Sequence, residues 1–360
     1  MKRSVAISGA LVALWFSIAI RSSSQTPSQN ANDPVPPDDA KAILLAASNL
    51  NGLDSPGLRP WHILVSYDRF DEDGDNDDSG TYEEYWASPK QYRRVFSSHD
   101  FNQTDVSNDQ GIYRSGAQQW PGVLQTRVRD DVVRPMFREL NLDYADPEKT
   151  LESFGAAQLP CVLLRAHLAP GAFRVDKDLP GFCFENKTLI LRFIRGGMSW
   201  GTTWHRTILS KIVRFQSRYV ARDIQINDAD KLFLKITVET IEELPELPPA
   251  TLVPPADAKL LNLSRITIEP QVLTLDYLLH QDVPSYPSSI PPPEGDATAK
   301  IVIGKDGRVV ACEILEASQP KMRQPLQDAI LKSVFRPYVV RGEPVEVETT
   351  EKFVYMKQGR

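Results

Sequence analysis

The chain has 360 residues, 41% of them apolar, and a formal charge of −6. That length and apolar content furnish a core for each of two ordinary domains, which excludes a disordered class. The acidic balance excludes a nucleic-acid partner, which needs a basic footprint, and three Cys are too few for a disulfide scaffold.

In chain order, residues 1–24 come first. They carry a basic tip at Lys2 and Arg3, an uncharged apolar run from Val5 to Ile20, and small polar residues up to Ser24. This is the pattern of a signal peptide, and it predicts a periplasmic or secreted protein. The alternative is an uncleaved inner-membrane anchor, because the run approaches the roughly 17 residues that span a bilayer. Cleavage would remove Lys2, Arg3 and Arg21 and take the charge from −6 to −9. Residues 25–37, rich in Pro, Ser and Asn, read as a disordered leader.

Residues 38–244 read as one α+β unit. A helix is predicted over DDAKAILLAASNLNGL, with Ile43, Leu44, Ala47 and Leu50 on one face. Period-two strands follow near 61–70, 80–86 and 90–97, and helical spacing returns over WPGVLQTRVRDDVVRPMFREL, with Val123, Val128, Val132, Met136 and Leu140 near one face and Pro135 kinking it or ending its first half. Further strands are expected near 160–168, 180–186, 188–195, 211–216, 218–227 and 231–242.

Between the first strands, DEDGDNDD places six acids in eight positions, residues 71–78. Counted as a calcium loop from Asp73, it has oxygens at Asp75, Asp77 and Glu84, but Asp78 stands where the turn needs Gly, and the flanks are strand-like rather than helical. A solvated hairpin tip is the plainer reading, with a weak calcium site as the alternative. Cys161 and Cys183 lie in one unit and form a disulfide candidate in an oxidising compartment, against three inert thiols.

Residues 245–258 hold Pro245, Pro248, Pro249, Pro254 and Pro255 and read as a stiff linker. Residues 259–360 follow as a second unit: two short strands in RITIEPQVLTLDYLLHQ, a hairpin through the KDG turn at 305–307, a helix in RQPLQDAILKSVFRPYVV with Leu326, Ala329, Ile330 and Val334 inward and stopped by Pro337, and a closing strand.

The pieces VPSYPSSI, AKIVIGKDGRVVACEILEAS, LQDAILKSVFRPYVVRGEPV and EKFVY, in that order, resemble the TonB C-terminal domain family over about 284–358. SQPKMRQP replaces the usual Ser-Gly turn, and Val stands where many members carry Trp. The resemblance implies a partner in the envelope or outer membrane, bound by strand addition at an edge formed by Val345, Val347, Phe353 and Tyr355. More distantly, the helix, the meander and YVARDI over about 40–245 resemble the LolA/LolB-type lipoprotein-carrier fold. That implies an antiparallel half-barrel-like sheet with covering helices.

Such a half-barrel could hold a lipid or other apolar ligand. Its predicted lining is Ile63, Val65, Tyr67, Tyr82, Tyr85, Leu191 and Phe193, side chains that would equally fill an ordinary core. The five His lack metal-ligand spacing, and there is no nucleophile elbow and no phosphate-binding Gly loop, so no cofactor and no catalysis is expected. The function expected is that of an exported envelope binding protein. A ligand-free scaffold is the alternative, and a hydrolase ranks below both.

Overall fold

The computed structural model describes residues 35–54, 57–137, 140, 142–143, 145–166, 180–196, 205–228, 231–286 and 294–355. The predicted signal peptide and all but the last three residues of the leader lie outside them.

Helix α1 (Ala40–Leu50) begins at Asp39, whose Oδ1 accepts the Ala42 N–H at 2.8 Å, as an N-cap does. Its buried face is Leu44, Ala47 and Leu50. Asn51 then fixes the helix end to the sheet: Nδ2 donates to the Ala47 and Leu189 carbonyls, and Oδ1 accepts from the Leu191 N–H.

Five strands follow as a meander: β1 (Trp61–Phe70), β2 (Asn76–Ser88), β3 (Gln91–Ser98), β4 (Asn102–Asn108) and β5 (Gly111–Gly116). Helix α2 (Val123–Val133) stops before Pro135, which has no N–H to continue it. Seven more strands come next: β6 (Ala145–Phe154), β7 (Ala157–Ala166), β8 (Gly181–Phe184), β9 (Leu191–Arg195), β10 (His205–Phe215), β11 (Arg218–Asp228) and β12 (Lys231–Glu243). Strand β12 returns to pair with β1, which fuses both runs into one antiparallel sheet. The two-residue β13 (Lys259–Leu260) adds to β5. Among the described residues the order is β13, β5, β4, β3, β2, β1, β12, β11, β10, β9, β8, β7, β6. Strands β4, β5 and β6 are absent from the sequence expectation.

The Pro-rich segment 245–258 lies against this sheet rather than standing free. Asn108 Nδ2 donates to the Leu252 carbonyl at 3.3 Å, and Ser115 Oγ donates to Asp257 at 2.5 Å.

The remainder comprises β14 (Arg265–Thr267), α3 (Pro270–Asp276), β15 (Leu278–His280), β16 (Gly295–Ile303), β17 (Val309–Ala317), α4 (Arg323–Lys332), β18 (Val334–Phe335), β19 (Val339–Val340), β20 (Glu343–Pro344) and β21 (Glu346–Tyr355). A four-stranded sheet has the order β14, β21, β16, β17, and β14 joins it in parallel. The predicted hairpin is β16 and β17. Its turn places Gly307 at φ +81°, where a Cβ would meet the Phe335 carbonyl oxygen at 2.0 Å.

Two expectations need correction here. Between the two short strands after the linker stands helix α3, which Pro270 opens at its first position, where a fixed φ suits a helix. The helix expected to run until Pro337 stops it ends already at Lys332, because Ser333 is extended (ψ 147°) and Val334 pairs with β15 instead of facing inward on a helix.

One buried apolar cluster runs through both parts, from Trp61, Ile63, Tyr82 and Ile112 by way of Val128 on α2 to Ile266, Val272, Ile301 and Val347. The junction is aromatic and cationic. Phe137 packs on Tyr277 (centroids 5.6 Å), Tyr277 on Tyr338 (4.7 Å) and Tyr338 on Trp120 (6.4 Å). The Arg336 guanidinium donates to the Phe137 and Leu140 carbonyls.

Candidate functional site

Of the predicted lining, Ile63, Val65, Tyr67, Tyr82 and Leu191 share one buried cluster on the inner face. The space beside Leu191 and Tyr219 under α2 amounts to about 10 Å³, room for no more than about one water. These side chains fill a core.

Tyr85 and Phe193 are not brought to that face. Tyr85 stands three residues from Tyr82, so the alternation of a strand turns it outward, where it stacks on His62 at 4.0 Å. Phe193 is turned outward by an irregularity in the β8–β9 register, and it packs with Phe154, Leu159, Cys161 and Cys183 in a separate outer cluster. There Cys161 and Cys183 are register partners on β7 and β8, joined with their sulfurs 1.99 Å apart.

The calcium set is not assembled. Asp73 and Asp75 lie in the β1–β2 turn, where their N–H groups donate to Asp71, and Asp77 pairs with Arg69 at 2.8 Å. Glu84 is fully buried on the inner face of β2, far along the strand from that tip. Among the described residues no group of three His, Cys, Asp or Glu could hold a metal.

Of the predicted edge residues, Val345 and Val347 are buried, and Phe353 is partly buried against the core. Tyr355 pairs with Gly295. Strand β14 covers only Glu346 to Glu348 of β21. From Thr349 to Tyr355 the outer side of β21 has no strand partner among the described residues. The opposite flank is closed: the β17 carbonyls of Cys312, Ile314 and Leu315 accept hydrogen bonds from Gln327 and Arg323.

A larger space, a cleft of about 230 Å³, lies at the junction. Strands β2 to β4 contribute Trp86, Tyr92, Arg94, Phe96, Gln103 and Asp105. Helix α2 with its flanks contributes Trp120, Arg129 and Arg134, and the C-terminal part Tyr277, Tyr338 and Arg341. Arg341 and Gly342 form the tip of the β19–β20 hairpin at φ 57° and 77°, a two-residue turn with both residues left-handed. The tip is tied to the sheet by Arg341 Nη2 donating to the Asn108 carbonyl (2.6 Å) and by the Lys90–Glu343 ion pair (2.8 Å).

A string of alternating charges runs along the cleft. Glu84 accepts from Arg94 Nε at 2.8 Å, from Arg129 Nε at 3.1 Å and from the Tyr82 hydroxyl. Asp130 accepts from Arg129 Nη1 at 3.2 Å and from Arg134 Nε at 2.8 Å. Burial alone would raise the Glu84 carboxyl, but Arg129 and Arg94 hold it down to about 2. Burial and the nearby Glu84 charge drive the Tyr82 hydroxyl well up. Asp105 is clamped separately, by both Nε and Nη2 of Arg114 at 2.7 Å, and that guanidinium lies 4.6 Å above the Trp120 ring. Glu84, Asp105 and Asp130 are all tied to guanidinium groups, whereas Asp54, which also lines the cleft, has its carboxyl raised by burial against the pull of Arg134 and Arg129.

From the sequence, Glu84 was singled out only as a candidate calcium ligand, and the other charges of the cleft were not singled out. Glu84 carried a signal: it alternates with Tyr82 and Trp86, which puts it on their face. On α2, Asp131 falls between Val128 and Val132 at inward helical spacing, and it is paired with Arg127 at 3.0 Å.

No family model and no curated protein matches the chain. Among solved structures it is similar to a LolA superfamily protein from Nitrosomonas europaea (11% identity, 60% of this chain and 97% of that one, TM-score 0.38). It is also similar to a domain described as an outer membrane lipoprotein-sorting protein from Vibrio parahaemolyticus (6%, 59% and 95%, 0.37), and to the MucA/MucB complex of Pseudomonas aeruginosa (13%, 75% and 80%, 0.27). At such identities and scores the resemblance carries neither a shared fold nor a shared ligand. No helix among the described residues is long and apolar enough to cross a membrane.

Proposed function

We propose that this chain is an exported, non-catalytic binding protein of the cell envelope, and that the junction cleft holds an apolar or lipid ligand. One observation carries the reading: the cleft is walled by Trp86, Tyr92, Phe96, Trp120, Tyr277 and Tyr338, while Ile63, Val65, Tyr82 and Leu191 are buried in the core cluster. Its 230 Å³ is close to the lower end of ligand pockets, about 300 Å³. The organisation in this reading is a half-barrel-like unit at 38–244 and a TonB-like unit at 259–360, with residues 245–258 between them. The open side of β21 offers an envelope partner a place to add a strand.

The test is titration of delipidated full-length protein with the neutral probe N-phenyl-1-naphthylamine. Enhanced fluorescence, weakened in Trp120→Ala and Tyr338→Ala, is the expected result, and no enhancement at any concentration overturns the ligand reading. The closed interior around Ile63, Val65 and Tyr82 favours a second reading, a scaffold of an envelope assembly without ligand.

A further inference from the structure

We propose that the cleft selects apolar ligands ending in an anionic oxygen group, phosphate or carboxylate, and that Arg94 receives that group. The inference deepens the ligand reading above and rests on it.

The first ground is charge. In a chain of net −6, the string Arg94, Glu84, Arg129, Asp130, Arg134 has a cation at both ends, three guanidinium groups to two carboxylates. Asp54 lies near the Arg134 and Arg129 end of the string, and Asp105 is matched by Arg114. Arg94 therefore stands at the end of the string with a single carboxylate partner, in a partly desolvated place where a charge counts for more than on an open surface.

The second ground is the state of Arg94. Only its Nε is used, on Glu84, so its two Nη groups have no hydrogen-bond partner among the described residues. The side chain keeps 25% of its surface exposed, on the cleft. Its guanidinium carbon lies 3.9 Å over the Tyr92 ring, which fixes the plane of the fork. A planar, oriented pair of N–H donors matches two oxygens of one anion. Arg129 and Arg134 each serve two partners already, Glu84 with Asp130 and Asp130 with Tyr277. Trp86, Phe96 and Trp120 stand around Arg94 in the same cleft and can take the apolar part of the ligand.

The experiment is displacement of N-phenyl-1-naphthylamine from the delipidated full chain by dodecyl phosphate and by dodecanol, which share one alkyl chain. Dodecyl phosphate should displace the probe at about tenfold lower concentration or less, the worth of one charge-assisted contact. Arg94→Gln should bring that ratio to about one, Arg94→Lys should keep part of it, and high salt should reduce it in the unaltered protein. The salt arm decides the matter if the glutamine variant does not fold. Equal displacement by the two compounds overturns the inference and leaves the apolar cleft standing, whereas no probe binding at all removes both. Inorganic phosphate that competes with dodecyl phosphate but not with dodecanol supports a free anion as the natural source. Absence of that competition with the preference intact supports a headgroup.

Discussion

Arg94 Nε lies 2.8 Å from Glu84 Oε1, across a register pair of β2 and β3. The carboxylate has no solvent exposure and is shared with Arg129 on α2. A single acid thus joins two strands and a helix at the floor of the cleft.

Replacing Glu84 with Gln should destabilise the protein by about 3–5 kcal/mol, because it leaves two guanidinium groups without their counter-charge in a buried place. Urea unfolding followed by tryptophan fluorescence measures this. A loss below about 1 kcal/mol would mean that water already compensates these charges.

The same carboxylate predicts acid sensitivity. Its native pKa of about 2 lies below the ordinary 4.5, so the stabilisation is complete above pH 4.5 and is lost as pH falls through about 2. The full difference corresponds to about 3 kcal/mol. Stability measured across pH 5 to 2 should decline, and Glu84→Gln should show a flatter decline over that window.

The disulfide closes a loop with a sequence separation of 22 residues. By loop entropy, Cys161→Ala with Cys183→Ala should cost about 3 kcal/mol. Cys312, the free cysteine among the described residues, has its thiol pushed up to about 11 by burial. Thiol titration of the unreduced protein should give one thiol per chain under denaturing conditions and slow reaction at pH 8 in the native state.

Arg336→Ala removes the donor to the Phe137 and Leu140 carbonyls and should loosen the junction by about 2–3 kcal/mol. Limited proteolysis should then cut within residues 245–258 faster than in the unaltered protein. Unchanged cleavage would show that the aromatic stack of Trp120, Tyr338, Tyr277 and Phe137 holds the junction without it.

Where side chains alternate cleanly between apolar and polar, the fold was legible in the sequence. WHILVSYDRF is β1 over its full predicted extent, and the KDG hairpin stands where its turn residues put it. Strands β4 and β5 were not legible because their inner face carries Gln103, Asp105, Ser107 and Arg114, all buried, which break the apolar period. The chemistry of the cleft is what hid the strands that build it. Tyr85 was a parity error open to correction from the sequence, since Tyr82 and Tyr85 stand an odd number of residues apart on one strand. Phe193 was not, because a register shift between strands leaves no mark in a single chain. The junction was illegible for a related reason: solvated surface and buried ion pairs use the same residue types.

The small sheet is asymmetric, with α4 side chains occupying one flank and the far half of β21 without a strand partner among the described residues on the other. A body with a single vacant side can accept one guest strand and then presents nothing for the next. If a partner adds a strand there, as proposed, pairing through this sheet would end at a closed couple rather than propagate into a fibre.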